Sequence, residues 1–309
     1  MKIAFMFSGQ GAQFPGMMKE LCEEEEAARA VFECADRALG REISALCFEG
    51  SQEELNLTHN TQPCVLAADL AAAAALKAHG VVPEGAAGFS LGEYAALTWA
   101  GSIPMADVFE IIQYRADSMQ SAVAPGKGAM AAMLGGSPEQ VEAVCAAVTE
   151  GYVVAANYNC PTQTVISGEA AAVEQAIALA RERRIRGKKL AVSAPFHCAM
   201  MEPAAKKLEA RFAGMSFAAP DMPVYMNVDG RVNADAAAIP ALLVRQAMSP
   251  VRWVQTLKNM RADGFDTFIE CGPGRTLSGL AAKTLEDVSI LRVGDVQTLN
   301  ETLQALQKS

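Results

Sequence analysis

Apolar positions in this chain fall into short continuous runs, each followed by a longer stretch with helical spacing. The run Ile3–Phe7 is apolar throughout and reads as a strand buried on both faces. A second run, residues 85–89, leads into Ser90, and a helical pattern follows over 93–99. Between these two units, residues 41–60 are polar and predicted to be irregular. Thr61-Gln62-Pro63 then opens an Ala-rich helix predicted to reach about His79. The next helix is predicted from Met105 to about Ala122, with an apolar stripe at Val108, Ile111, Ile112, Met119 and Ala122.

A different rhythm begins near residue 127. Strands are predicted at 128–135, 152–159, 164–168 and 189–196, with helices at about 137–151 and 169–184. The first of these helices starts at Ser137-Pro138-Glu139-Gln140, with Ser as cap, Pro at the first position and Gln reaching back. The order β-α-β-β-α-β is the split βαβ of ferredoxin-like domains. Residues 127–196 are therefore expected to form an inserted subdomain, and 1–126 with 197–309 the larger α/β domain. In the latter, helices are predicted near 199–213, 239–248 and 251–262, strands at 224–227 and 266–270, and a final helix after Gly274.

Composition narrows the class. The chain has 309 residues, 51% hydrophobic and 20% charged, as suits a soluble α/β protein with a large core. No apolar run has the length of a membrane span, and the first strand is too short for a signal-peptide core. Eight cysteines without a C-x-x-C pair read as reduced thiols of a cytoplasmic protein, with no zinc site. A net charge of −9 argues against nucleic acid as a partner. Nothing forces a dimer, and a monomer is expected.

The chemistry centres on Gly88-Phe89-Ser90-Leu91-Gly92, placed between a strand and a helix. This is the nucleophile elbow, in which flanking glycines permit the sharp turn and the serine hydroxyl stands at a helix N-terminus. A serine needs a base at neutral pH. Of the three histidines, His59 lies in a polar loop and His79 ends a helix, whereas His197 follows Ala194-Pro195-Phe196 at the junction of the two units, where clefts form. No acidic residue is evident to orient it. The loop Gly9–Gly16 has Walker A spacing from Gly11, but Met17-Met18 replaces the required Lys-Ser/Thr. It reads better as a loop at the carboxyl end of the first strand. There the Gln10 backbone joins the Leu91 N–H as a second oxyanion donor, the alternative being a plain tight turn.

Arg115 falls on the apolar stripe of its helix. An inward guanidinium requires an anion, either an internal Asp or Glu or the carboxylate of a substrate. Residues 181–189 carry six basic side chains and one acid in an acidic protein. Arg183, Arg184, Lys188 and Lys189 are thus either a solvated helix end or a docking patch for an acidic partner.

Together these segments resemble the malonyl-CoA:acyl-carrier-protein transacylases and the related acyltransferase domains of polyketide synthases. The resemblance covers nearly the whole chain. It is carried by Phe7-Ser8-Gly9-Gln10-Gly11-Ala12-Gln13, Thr61-Gln62-Pro63, Gly88–Tyr94, Arg115, Asn157-Tyr158-Asn159, Pro195-Phe196-His197-Cys198, Val244-Arg245-Gln246 and Glu270-Cys271-Gly272-Pro273-Gly274. It implies a hydrolase-like parallel-sheet domain with the ferredoxin-like insertion. It also implies Ser90 as nucleophile, His197 as base, Gln10 and Leu91 as the oxyanion hole, and Arg115 as the malonyl carboxylate ligand. Gln246 would orient the histidine through its backbone carbonyl. Malonyl-CoA and a phosphopantetheinylated carrier protein would be the substrates, with neither a metal nor a bound cofactor. One departure is Phe89, where the family usually has His; a polar contact is lost there and the site is expected to be drier. Phe196 before the histidine resembles the pattern that favours malonyl over methylmalonyl. Rival readings are a serine esterase or thioesterase on the same elbow, a methylmalonyl or polyketide-type acyltransferase, and a non-catalytic carrier-binding module.

Overall fold

The structure is a computed structural model that describes residues 1–192 and 194–308. Its strands are β1 (Ile3–Phe7), β2 (Gly85–Gly88), β3 (Gly128–Leu134), β4 (Val153–Cys160), β5 (Gln163–Glu169), β6 (Arg186–Lys189), β7 (Val224–Tyr225), β8 (Thr267–Cys271) and β9 (Ser289–Val293). One sheet has the order β7-β2-β1-β8-β9 with every pair parallel. The other has the order β4-β5-β3-β6 with every pair antiparallel. Together they make the hydrolase-like parallel sheet that the resemblance implies and the ferredoxin-like α+β layer that the sequence pattern predicts.

β1 shows why its residues are apolar without alternation. Phe5 and Phe7 enter one core, with Val65, Leu66 and Leu97, while Ala4 and Met6 enter the core on the opposite face, with Trp253 and Phe268. A parallel strand covered on both faces has no solvent side to place polar residues on.

The helix Thr58–Ala78 starts earlier than predicted and carries Pro63 inside it. Proline cannot donate to the carbonyl four residues back. That carbonyl, on His59, instead accepts Nη2 of Arg41 at 3.1 Å and Nε2 of Gln113 at 3.1 Å. The missing backbone bond is thereby replaced from two other elements. The stretch expected to be irregular holds helices Ile43–Glu49 and Gln52–Leu55, the second closed by a Ser51/Glu54 capping box. The helices Lys19–Glu24 and Glu26–Leu39 and the terminal unit of β9 and Val296–Gln307 were not expected.

Two strands differ from the prediction in ways that serve the cavity. The strand expected over 189–196 is β6, Arg186–Lys189, which pairs with β3. Beyond it the chain leaves the sheet, so that Leu190, Val192 and Phe196 line the cavity. Pro195 packs over Gly128, where a Cβ would lie 2.4 Å from its ring. β7 ends at Tyr225, two residues before Asn227 turns toward the elbow.

Candidate active site

β2 runs in register with β1, pairing Phe7 with Gly88, and delivers Ser90 to the carboxyl end of the parallel sheet. The turn into the helix Gly92–Trp99 is so tight that a Cβ on Gly88 would sit 1.8 Å from the Gly92 carbonyl oxygen. A Cβ on Gly92 would sit 2.3 Å from the Phe7 carbonyl oxygen. Both neighbours are backbone and cannot move aside, so the two glycines of the motif are required by close approach. Ser90 itself has φ 55°, a left-handed conformation that costs a non-glycine residue about 1 kcal/mol or more.

Asn227, which the sequence reading did not single out, holds that conformation. Its Oδ1 accepts the Ser90 N–H at 2.7 Å, and its Nδ2 donates to the Gly88 carbonyl at 2.7 Å. Its own N–H is taken by the Glu93 carboxyl. The available signal was a polar residue just past a short buried strand in a parallel sheet, where ligand-side residues collect.

Ser90 Oγ lies 2.7 Å from Nε2 of His197. The other ring nitrogen, Nδ1, is 3.0 Å from the backbone carbonyl of Gln246. A carbonyl can only accept, so Nδ1 carries the proton and Nε2 presents its lone pair to the hydroxyl. No carboxylate is needed for this orientation. His197 also has a positive φ, 59°. Burial holds its pKa down to about 4, with the Arg115 charge adding to the effect and the Gln246 carbonyl opposing it. The imidazole is thus neutral throughout the physiological range.

Arg115, 1% exposed, projects from the helix Met105–Gln120 into the same place. Its Nη1 donates to Gln62 Oε1 at 2.7 Å, and its Nη2 to Gln246 Oε1 and to Ser90 Oγ, each at 3.0 Å. Every acceptor is neutral, and no carboxylate lies within 4.0 Å among the described residues. The internal Asp or Glu that would have made this arginine structural is absent from its contacts. Its ring-face neighbour is Tyr94, 5.3 Å from the guanidinium carbon. The guanidinium therefore holds a positive charge in a buried site with no resident anion in contact.

Gln246 does more than the sequence predicted. Besides its carbonyl on His197, its side chain accepts from Arg115 and donates to the Ser90 carbonyl at 2.8 Å. One residue thus fixes base, guanidinium and nucleophile backbone together.

These groups open into a cavity of about 190 Å³. Gly9, Gln10, Gly11 and Leu91 form its polar rim around Ser90, and Met119, Met130, Val165, Leu190, Val192, Phe196 and Leu280 its apolar wall. The backbone N–H groups of Gln10 and Leu91 make no hydrogen bond among the described residues and are free to donate. Phe89 stands on the cavity wall, edge-on to Trp253 with ring centroids 5.6 Å apart. Of the remaining histidines, His79 pairs with Glu25 at 2.9 Å, as suits a helix end, and His59 contributes its carbonyl. No group of three or more His, Cys, Asp or Glu able to hold a metal occurs among the described residues.

A serine hydroxyl in a strained turn, a neutral imidazole in hydrogen-bond contact and two free amides are the groups that serine-dependent acyl transfer uses. The chain belongs to the acyl transferase domain family, whose model matches residues 4–303. It is 43% identical to the malonyl CoA-acyl carrier protein transacylase of Bacillus subtilis (strain 168), over 99% of this chain and 98% of that protein. It is 41% identical to the Haemophilus influenzae protein of the same name, over 97% of each. Among solved structures it resembles the acyl-carrier-protein S-malonyltransferase of Burkholderia pseudomallei 1710b, with a TM-score of 0.96, 42% identity and coverage of 98% of this chain and 100% of that one. A malonyl-transacylase in complex with a type II polyketide synthase acyl-carrier protein is equally similar in fold, with a TM-score of 0.96, 38% identity and coverage of 99% and 100%.

An acid limit on activity is expected if the buried imidazole acts as the base. The rate with malonyl-CoA should hold as pH falls from 7 toward 5 and decline only near pH 4, where His197 takes up its proton. The unfolded chain binds that proton near 6.5, so the fold should lose stability as pH falls through this window from 6.5 to about 4. A pH–kcat/KM profile checks the first statement; a limb centred on 6.5 would mean that the imidazole is solvated.

Proposed function

We propose that this chain moves a malonyl group from malonyl-CoA to the phosphopantetheine thiol of acyl carrier protein, through a malonyl ester on Ser90. The observation that carries this reading is the Ser90 hydroxyl shared between His197 Nε2 and an Arg115 guanidinium that has no carboxylate partner among the described residues. An esterase of neutral acyl groups has no use for a buried cation beside its nucleophile. A carboxylate-bearing acyl group supplies the missing anion and suits the planar fork of the guanidinium.

The steps follow from the positions. His197 Nε2 takes the Ser90 proton as Oγ attacks the thioester carbonyl. The oxyanion is held by the N–H groups of Gln10 and Leu91, each donor of this kind contributing about 3–4 kcal/mol. The imidazolium then protonates the departing coenzyme A thiolate. Arg115 holds the distal carboxylate of the malonyl ester while coenzyme A leaves and the carrier thiol enters. The second attack repeats the first, with His197 again as base. The apolar wall disfavours water as acceptor, and Phe196 leaves little room for a branch on the acyl group. The site lies between the larger domain, 1–126 with 197–309, and the subdomain 127–196. The eight cysteines are all unpaired, which supports a reducing compartment, the cytoplasm.

The carrier protein is assigned to the basic edge of the subdomain. β6 is the outer strand of its sheet and leads directly into Leu190 and Val192 on the cavity wall. Arg183, Arg184 and Lys188 are exposed and form no ion pair among the described residues, whereas Lys189 is engaged by Glu174 at 2.6 Å. Lys189 therefore contributes less to docking than its neighbours.

Two experiments test these assignments. Arg115→Ala should lower malonyl transfer at least 100-fold more than acetyl transfer, the order expected for losing a charge-assisted bidentate contact. Equal losses for the two substrates would make the arginine structural, and release of free malonate without a thiol acceptor would make the chain a hydrolase. Neutralising Arg183, Arg184 and Lys188 together should raise the KM for carrier protein and flatten its salt dependence, with the KM for malonyl-CoA unchanged. A change in melting temperature with an unaltered KM for carrier protein would remove the docking assignment.

A further inference from the structure

Glu93 is buried in the same cluster and has no part in the steps above. It sits one residue past Gly92, in the first turn of the helix that follows Ser90, and is fully buried. One carboxyl oxygen accepts the Asn227 N–H. The other, Oε1, is buried without a hydrogen-bond partner, as is Nε of Arg115. Asn227 connects this carboxyl to the Ser90 N–H, and Gln246 connects the Ser90 carbonyl to Arg115. Glu93 is thus one link removed from the nucleophile and lies within the electrostatic reach of the guanidinium, without forming an ion pair with it.

We propose that Glu93 is a specificity-determining residue that sets the charge available to the substrate carboxylate: protonated, it leaves Arg115 free to bind a carboxylate-bearing acyl group, and ionised, it competes for that charge. This rests on the reading of Arg115 as the carboxylate ligand. Charge balance in a buried site separates the two protonation states. A lone guanidinium attracts one buried anion strongly, but a second anion beside it meets repulsion that little solvent screens. If Glu93 were ionised in the free enzyme, the site would already be neutral and an arriving malonate would carry it to a net negative charge. A neutral Glu93 leaves the site positive before malonyl binds and neutral afterwards.

The groups facing the Glu93 carboxyl are few. Arg115 comes from the helix Met105–Gln120 and favours ionisation. Asp229, from the turn after β7, and burial itself oppose it, burial being the larger influence. Tyr94, on the same helix, stays neutral, its pKa raised to about 12. The Asn227 N–H, which donates to the carboxyl, and the Gln246 side chain also favour the ionised form. The balance holds Glu93 up to about 8, so it is mostly protonated at neutral pH.

The test compares malonyl and acetyl transfer across pH in the wild type and in Glu93→Gln. With a pKa of about 8, nine-tenths of Glu93 is ionised at pH 9, so the ratio of malonyl to acetyl kcat/KM should fall about tenfold between pH 7 and pH 9. In Glu93→Gln the ratio should stay level over that range. A wild-type ratio that does not change, or a fall that persists in Glu93→Gln, would overturn the proposal. A merely structural role would lower both activities without moving their ratio. Should Glu93→Gln fail to fold, the wild type alone decides. Single-turnover acylation at pH 8.5, followed with a pH indicator, should take up more protons with malonyl-CoA than with acetyl-CoA. The released coenzyme A is the same in both, so equal proton balances would contradict the proposal. The Arg115→Ala comparison fails separately: equal malonyl and acetyl losses there would remove the carboxylate ligand itself, whatever Glu93 does.

Discussion

A guanidinium buried without a carboxylate in contact is the constraint on which the rest of this structure turns. Burying such a charge costs several kcal/mol unless it is compensated. Here the compensation comes from three neutral oxygens, on Gln62, Gln246 and Ser90. None of these neutralises the charge. The remaining attraction is directed at a cavity that also holds the Ser90 hydroxyl, the His197 imidazole and the free amides of Gln10 and Leu91, with Asn157, Asn159 and Thr276 on its lining. The same positive charge adds to burial in lowering the basicity of His197. The charge that would attract a carboxylate thus also helps to keep the imidazole neutral, burial being the larger cause.

Holding that charge beside the hydroxyl requires the backbone to be equally determined. Ser90 and His197 both adopt left-handed conformations, which non-glycine residues avoid unless their surroundings impose them. For Ser90 the surroundings are Asn227 on its N–H and Gln246 on its carbonyl, with glycine packing that excludes even a methyl group on either side of the turn. These contacts come from segments far apart in the chain. The site is thus assembled by the parallel sheet and its crossovers, and its precision is a property of the whole fold.

How much of this could be read from residues alone follows from the same physics. The elbow was legible because a strand, a glycine-flanked serine and a helix are contiguous. Arg115 was legible because helical spacing put a charge on an apolar stripe. The docking of Pro195 on Gly128 was not, and so the strand expected to continue to Phe196 ends at Lys189. Pro63 pointed to a helix start, but the helix begins at Thr58 because Arg41 and Gln113 satisfy the carbonyl that the proline leaves open. Asn227 and the side-chain role of Gln246 depend on partners more than 130 residues away, a separation that no local pattern encodes. β9 and the helix after it form a half-buried edge whose periodicity is correspondingly weak.

The central claim is that Ser90 Oγ is the atom that carries the acyl group. Mass spectrometry of the intact protein and its peptides, after brief exposure to malonyl-CoA without carrier protein, tests it most directly. The account predicts one malonyl group per chain, located on the peptide containing Ser90. It is contradicted by an adduct at any other residue, or by carrier protein that becomes malonylated while the enzyme itself never does.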